Sequence, residues 1–189
     1  MTGASIELDR LVRDIADAVV RIDSARLTFK SFQPGVGPFG EPQLVKLVAK
    51  ELERGDDYKG LVFTRRTPDL LIKGKWALEF KIARPFGDNG KEAENWSVNL
   101  LHPYAGNVSV IGDCLKLMKH FGEERKSVIV IGYEHTPPRI ELTPLLSAFE
   151  CIARDIAGIA LGPRIASVRS SLIHPIHQQV SVVAWEVRS

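Results

Sequence analysis

The stretch Thr67-Pro68-Asp69-Leu70-Leu71-Ile72-Lys73-Gly74-Lys75-Trp76-Ala77-Leu78-Glu79-Phe80-Lys81-Ile82 constrains the fold more than any other part of the chain. Side chains on a strand point alternately to opposite faces. In the first half Leu70 and Ile72 share one parity, and Asp69 and Leu71 share the other. In the second half Trp76, Leu78, Phe80 and Ile82 alternate with Ala77, Glu79 and Lys81. Lys73-Gly74-Lys75 between them reads as a polar turn, with a glycine available for positive φ. A three-residue loop pairs Asp69 with Glu79, Leu70 with Leu78 and Ile72 with Trp76; a two-residue loop would break that match. Facing Cβ atoms of an antiparallel pair lie roughly 4.5–5.5 Å apart, close enough for two carboxylates to share a metal ion. The predicted hairpin has one apolar face that needs a core and one face that collects two acids and a lysine.

Two facing carboxylates repel each other unless a cation lies between them. Lys81 is two residues beyond Glu79 on the same parity, and Mg²⁺ would neutralise the remainder, with Mn²⁺ as a natural substitute. Mg²⁺ is typically held by one or two carboxylates together with substrate phosphate and water. Bound there it would polarise a phosphoryl oxygen and lower the pKa of a water, while Lys81 orients or deprotonates the nucleophile. The acid-x-lysine triplet by itself says little, because it occurs three times, at Asp57–Lys59, Glu79–Lys81 and Glu124–Lys126. Only the middle copy lies in an apolar strand pattern, and only it follows the chain's single Pro-Asp dipeptide.

Pro68-Asp69 followed by Glu79-Phe80-Lys81 resembles the PD-(D/E)xK nuclease superfamily, the fold group of many restriction endonucleases. The resemblance implies an α/β fold, a three-layer α/β/α sandwich with a mixed central sheet. Its core runs helix, three strands, helix, strand over about residues 40–133, within a single domain of residues 1–189. It further implies Mg²⁺-dependent hydrolysis of DNA phosphodiesters, with Asp69 and Glu79 holding metal and Lys81 acting on the water. The first helix of the superfamily often adds an acid. Here Gly40-Glu41-Pro42-Gln43 opens an amphipathic run through Leu44, Val45, Leu47, Val48 and Leu52, which places Glu41 at the N-cap or just before it. Glu41 is the candidate third metal ligand, although an acid there also suits the helix dipole, and Glu51 and Glu53 compete for the role.

The other expected elements are a strand over Gly60–Arg66, an irregular excursion from Ala83 to Gly106, and a helix from Gly112 to Phe121. Asp113 is the expected N-cap of that helix, Leu117, Met118 and Phe121 its apolar edge, and Lys116, Lys119 and His120 its basic face. The superfamily helix after the catalytic strands lies beside the active site, which makes Lys116 a candidate phosphate contact. Ser127–Tyr133 reads as a buried strand, Thr143-Pro144 as the start of a helix reaching about Ile156, and Val180–Val187 as a final strand. Residues 5–29 read as an amphipathic helix ahead of the core, a dimer face or a lid.

A chain of 189 residues that is 44% hydrophobic supports one well-buried domain. Its net charge of +2 does not by itself imply nucleic acid, but Arg65, Arg66, Lys73, Lys75, Lys81 and Arg84 cluster around the candidate site. Arg65, Arg66, Arg84, Lys116 and Lys119 are the expected nucleic-acid contacts. His174-Pro175-Ile176-His177 lacks a third ligand for zinc, and Cys114 and Cys151 read as separate reduced thiols. The glycines from Gly35 to Gly40 follow no strand and lack the Lys-Ser/Thr ending of a phosphate loop. Neither a signal peptide nor an apolar span is evident, so a cytoplasmic location without membrane partners is expected. The favoured activity is a type II-like endonuclease, and cutting both strands of a duplex would favour a homodimer. A catalytically silent nucleic-acid-binding or regulatory module, and an RNA-directed or structure-specific nuclease, are the alternatives.

Overall fold

The computed structural model describes residues 5–104 and 108–188. In chain order the elements are α1 (Leu8–Ser24), α2 (Glu41–Leu52), β1 (Val62–Thr64), β2 (Leu70–Ile72), β3 (Trp76–Ala83), α3 (Val98–Leu101), α4 (Val110–Met118), β4 (Arg125–Glu134) and α5 (Thr143–Cys151). A π-helical turn (Ile152–Ile156) extends α5, and β5 (Ala160–Leu161), β6 (Ile165–Ser170) and β7 (Gln179–Arg188) complete the chain. The fold is mixed α/β, built on one seven-stranded sheet of order β1-β2-β3-β4-β7-β5, with β6 also paired to β7. β1, β2 and β3 form an antiparallel meander, β4 runs parallel to β3, and β7 runs antiparallel to β4. A parallel neighbour requires a long crossover, and the segment carrying α3 and α4 supplies it.

The hairpin forms in the expected register: Leu70 faces Leu78, Leu71 faces Ala77 and Ile72 faces Trp76. Gly74 closes the turn at φ 68°, a conformation in which a Cβ would be strained. The parity of β3 separates two apolar cores. Trp76, Leu78 and Phe80 join the core shared with α1 and α2, whereas Ala77 and Ala83 join the core shared with α4 and α5. On the second face, small residues at Ala77 and Ala83 let α4 pack closely over the strand that carries Glu79 and Lys81.

Several boundaries differ from expectation. α1 stops at Ser24, and its apolar face is consumed by packing against α2, β6 and β7, so it serves the core. α4 starts four residues earlier than Asp113 would set it. Ser109 is the N-cap, accepting a bond from the Gly112 N–H at 3.1 Å, which frees Asp113 for another role. The same helix ends at Met118, leaving Met118 and Phe121 exposed while Leu117 is buried. Thr143 and Pro144 lie inside the first turn of α5, with Leu142 as the N-cap. Gly106 lies outside the described residues. Among the described residues, no helix is long and apolar enough to cross a membrane.

The approach to α2 is fixed by Asp23, a buried acid near the end of α1. Its carboxylate accepts from the Val36 N–H at 2.9 Å and from the Ile173 N–H at 2.8 Å, tying two distant segments together. Gly37 then presses against His177 so closely that a Cβ would lie 2.3 Å from its Nδ1. The glycines ahead of α2 therefore accommodate a histidine pair, and they lead the chain to Glu41. Asp23→Ala leaves two N–H groups without their acceptor, each costing about 1–3 kcal/mol. At about 2–4 °C per kcal/mol for a chain of this size, thermal unfolding of this variant should occur at least about 4 °C lower than wild type, and an unchanged midpoint would contradict this role.

Candidate active site

Four carboxyl groups and two ammonium groups meet where the end of the β2–β3 hairpin, the start of α2 and the first turns of α4 come together. The hairpin register carries Asp69, one residue before β2, alongside Glu79. Asp69 Oδ2 accepts from the Phe80 N–H at 2.9 Å, and its carboxyl also shares a hydrogen bond with Glu79. Glu79 is 3% exposed, and its Oε1 is buried without a hydrogen-bond partner.

Lys81 turns from this pair toward two other acids. Its Nζ is 3.3 Å from Glu41 Oε1 and 3.1 Å from Asp113 Oδ2. Glu41 is the first residue of α2, one place inside the N-cap Gly40, and its Oε2 also accepts from the Ile82 N–H at 3.3 Å. Glu41 thus clamps Lys81 and the backbone beside it. Asp113 is the residue that sequence reasoning missed. It projects from α4 with its side chain 2% exposed and bridges Lys81 to Lys116, whose Nζ lies 2.6 Å from Asp113 Oδ1. The Asp113–Lys116 spacing of three residues on a helix is the signal that could have found this pair. Lys116 is consequently engaged with Asp113.

These contacts set the charge state. Burial, then the neighbouring charges of Asp69 and Asp113, push the Glu79 carboxyl up to about 8. Burial likewise raises Asp69, helped by Asp113, and raises Glu41, helped by Asp69. Burial alone would lower the Lys81 ammonium, but Asp113 and Glu41 outweigh it and hold its pKa above the ordinary lysine value. Lys81 is therefore a fixed cation and is poorly suited to act as a base. With all six groups ionised the cluster carries more carboxylates than ammonium groups, and a proton on Glu79 relieves that excess.

The donor set suits a hard divalent cation of the Mg²⁺ class. Asp69 and Glu79 offer paired carboxylate oxygens, one of them a buried atom that lacks a partner. Among the described residues no group of three or more His, Cys, Asp or Glu side chains is placed to hold a metal by itself. An ion here would rest on the pair, with Glu41 committed to Lys81, and water and phosphate would complete its shell.

Of the expected nucleic-acid contacts, Arg65, Arg66 and Lys119 are exposed. Arg65 lines a hollow of about 200 Å³ that also reaches Asp69 and Pro42. Arg84 is half-buried and anchored, donating to the Phe39 carbonyl at 2.8 Å, and burial lowers its guanidinium pKa. On the other side of Lys81 a cleft of about 460 Å³ opens under the segment after β3. The other two acid-x-lysine copies are structural: Glu124 accepts from the Gly74 N–H at 3.0 Å, and Asp57 pairs with Arg10. His174 and His177 stack with ring centroids 4.5 Å apart. His174 Nδ1 accepts from two backbone N–H groups, and His177 Nε2 is 2.9 Å from the Phe86 carbonyl, so the pair is built into the core. Cys114 and Cys151 are free thiols.

No family model matches the chain, and none of the curated proteins and none of the solved structures matches it.

Because the folded-state pKa of Glu79 lies above its ordinary value, its protonated form stabilises the fold at low pH. That contribution is lost as pH rises through about 8. His177 acts in the opposite direction: burial lowers its pKa to about 4, so its contribution is lost only as pH falls below the ordinary histidine range. Between roughly pH 6.5 and 8.5 Glu79 therefore dominates between the two. Thermal midpoints measured in EDTA should fall across this window, and Glu79→Gln should flatten much of the slope. A slope of unchanged size in Glu79→Gln would show that Glu79 titrates normally.

Proposed function

We propose that this protein is a divalent-metal-dependent nuclease that hydrolyses DNA phosphodiesters, on a three-layer α/β/α architecture of the restriction-endonuclease type. The observation that carries the reading is the pairing of half-buried Asp69 with buried Glu79, aligned by the hairpin, with a lysine held protonated two residues further along the same strand. A Mg²⁺ ion held by Asp69 and Glu79 would supply Lewis acidity toward a phosphoryl oxygen and a water of lowered pKa.

The chain's own residues account for the remaining requirements. Glu79 gives up its proton when a cation is bound. Lys81, kept protonated by Glu41 and Asp113, donates hydrogen bonds to the phosphate or to the attacking water and stabilises the charge that develops. Glu41 and Asp113 fix the ammonium from two elements, so it is oriented before substrate arrives. Arg65 and Arg66, exposed just beyond β1, contribute phosphate contacts that position the strand.

A second reading is a nucleic-acid-binding module without catalysis. It is favoured by the pairing of Lys81 with both Glu41 and Asp113, which neutralises the lysine without any ligand.

Cleavage of supercoiled plasmid, linear duplex and single-stranded DNA with Mg²⁺, Mn²⁺ or EDTA separates these readings. The nuclease reading expects cutting in either metal and none in EDTA. Lys81→Ala and Asp69→Ala should each lower the rate by about 100-fold or more. Cutting that persists in EDTA or in both variants would refute the assignment, and binding without cutting under every condition would establish the silent module.

A further inference from the structure

We propose that the cleft beside Lys81 receives a single unpaired nucleobase, so that the substrate enters as a single strand or with an extrahelical nucleotide. This inference rests on the nuclease reading and narrows its substrate class. The cleft, at about 460 Å³, falls in the range of pockets that take small molecules, about 300–1,000 Å³. A duplex presents only base edges in its grooves, so the face of a base can enter such a recess only after unstacking.

The lining is divided by chemistry. Lys81 and Arg84 supply cationic groups along the strand side, and the Arg84 Nε is buried without a partner. Trp96 and Ile82 supply apolar and aromatic surface of the kind on which bases stack. Asn99 and Glu94 supply an amide and a carboxylate, groups that pair with base edges. Asn99 belongs to α3, which is held down by the fully buried Leu100, so this wall is supported from beneath.

Charge also determines which part of a nucleotide enters. Glu41 and Glu94 line the recess together with Lys81 and Arg84, so its charges balance and it suits an uncharged base better than a second phosphate. The backbone stays with Lys81 and Arg84 while the uncharged base goes inside. Lys81, Ile82 and Trp96 all line this recess, so a base lodged against Ile82 and Trp96 keeps its own phosphate on the Lys81 side.

The test is binding in EDTA, where cutting is absent, using a 2-aminopurine-containing single-stranded 12-mer and the same sequence as a blunt duplex. The single strand should bind at least about tenfold more tightly, with quenching of the 2-aminopurine. Trp96→Ala should lose about tenfold or more of that affinity and the quenching, with duplex binding unchanged. Trp96→Phe, which keeps an aromatic ring, should retain both. Equal affinity for the two forms, or single-strand binding unaffected by Trp96→Ala, would overturn the proposal. Metal-dependent cutting of duplex alongside an unaffected Trp96→Ala would remove the base pocket and leave the nuclease standing. Trp96-dependent base binding in a protein that cuts nothing would uphold the pocket and remove the nuclease reading.

Discussion

Glu79 lies on an interior strand with parallel and antiparallel neighbours on its two sides, an apolar core behind the sheet and α4 over its own face. A carboxyl so placed keeps its proton or acquires a cation, because an isolated buried carboxylate is too costly to maintain. Asp69 beside it sharpens the choice by adding a second acid that the hairpin register cannot move away. The rest of the site follows from this constraint. Lys81 is drawn off the pair by Glu41 and Asp113, and the pair is left to share a proton.

That division of labour explains why the acids come from three elements. The hairpin supplies the pair, and α2 and α4 each supply one carboxylate to hold the lysine. Preorganisation of this kind depends on how accurately α2 is delivered. Asp23, Gly37 and the stacked His174–His177 pair perform that delivery, and His177 also reaches the carbonyl of Phe86 in the segment that covers the cleft. The histidines that superficially suggest zinc therefore work as packing and backbone anchors on both sides of Lys81.

The hairpin was legible in the sequence because two independent signals agreed, alternation on both strands and a polar turn with glycine in its centre. Glu41 was legible as a site residue through resemblance, but its partner was not, since the direction of a lysine side chain depends on elements remote in sequence. Asp113 was hidden by a local rule that fits it well: an aspartate ahead of an apolar run reads as an N-cap. Ser109, four residues earlier, takes that role, and the burial of Asp113 follows from how closely α4 approaches Ala77 and Ala83. β5 and β6 left no clear pattern, because a two-residue strand and an edge strand exposed along much of its length carry little hydrophobic periodicity. The place of β7 inside the sheet, between β4 and the β5 and β6 edge, is a long-range pairing that local pattern does not encode.

The most direct test of the central claim is calorimetric titration of Mn²⁺ into the protein near pH 7, in two buffers of different ionisation enthalpy. If the Asp69–Glu79 pair exchanges its proton for a metal ion, binding should release about one proton per ion, and Glu79→Gln should abolish that release and weaken binding. Binding that releases no protons, or that is indifferent to Glu79→Gln, would show that the Asp69–Glu79 pair is not a metal site.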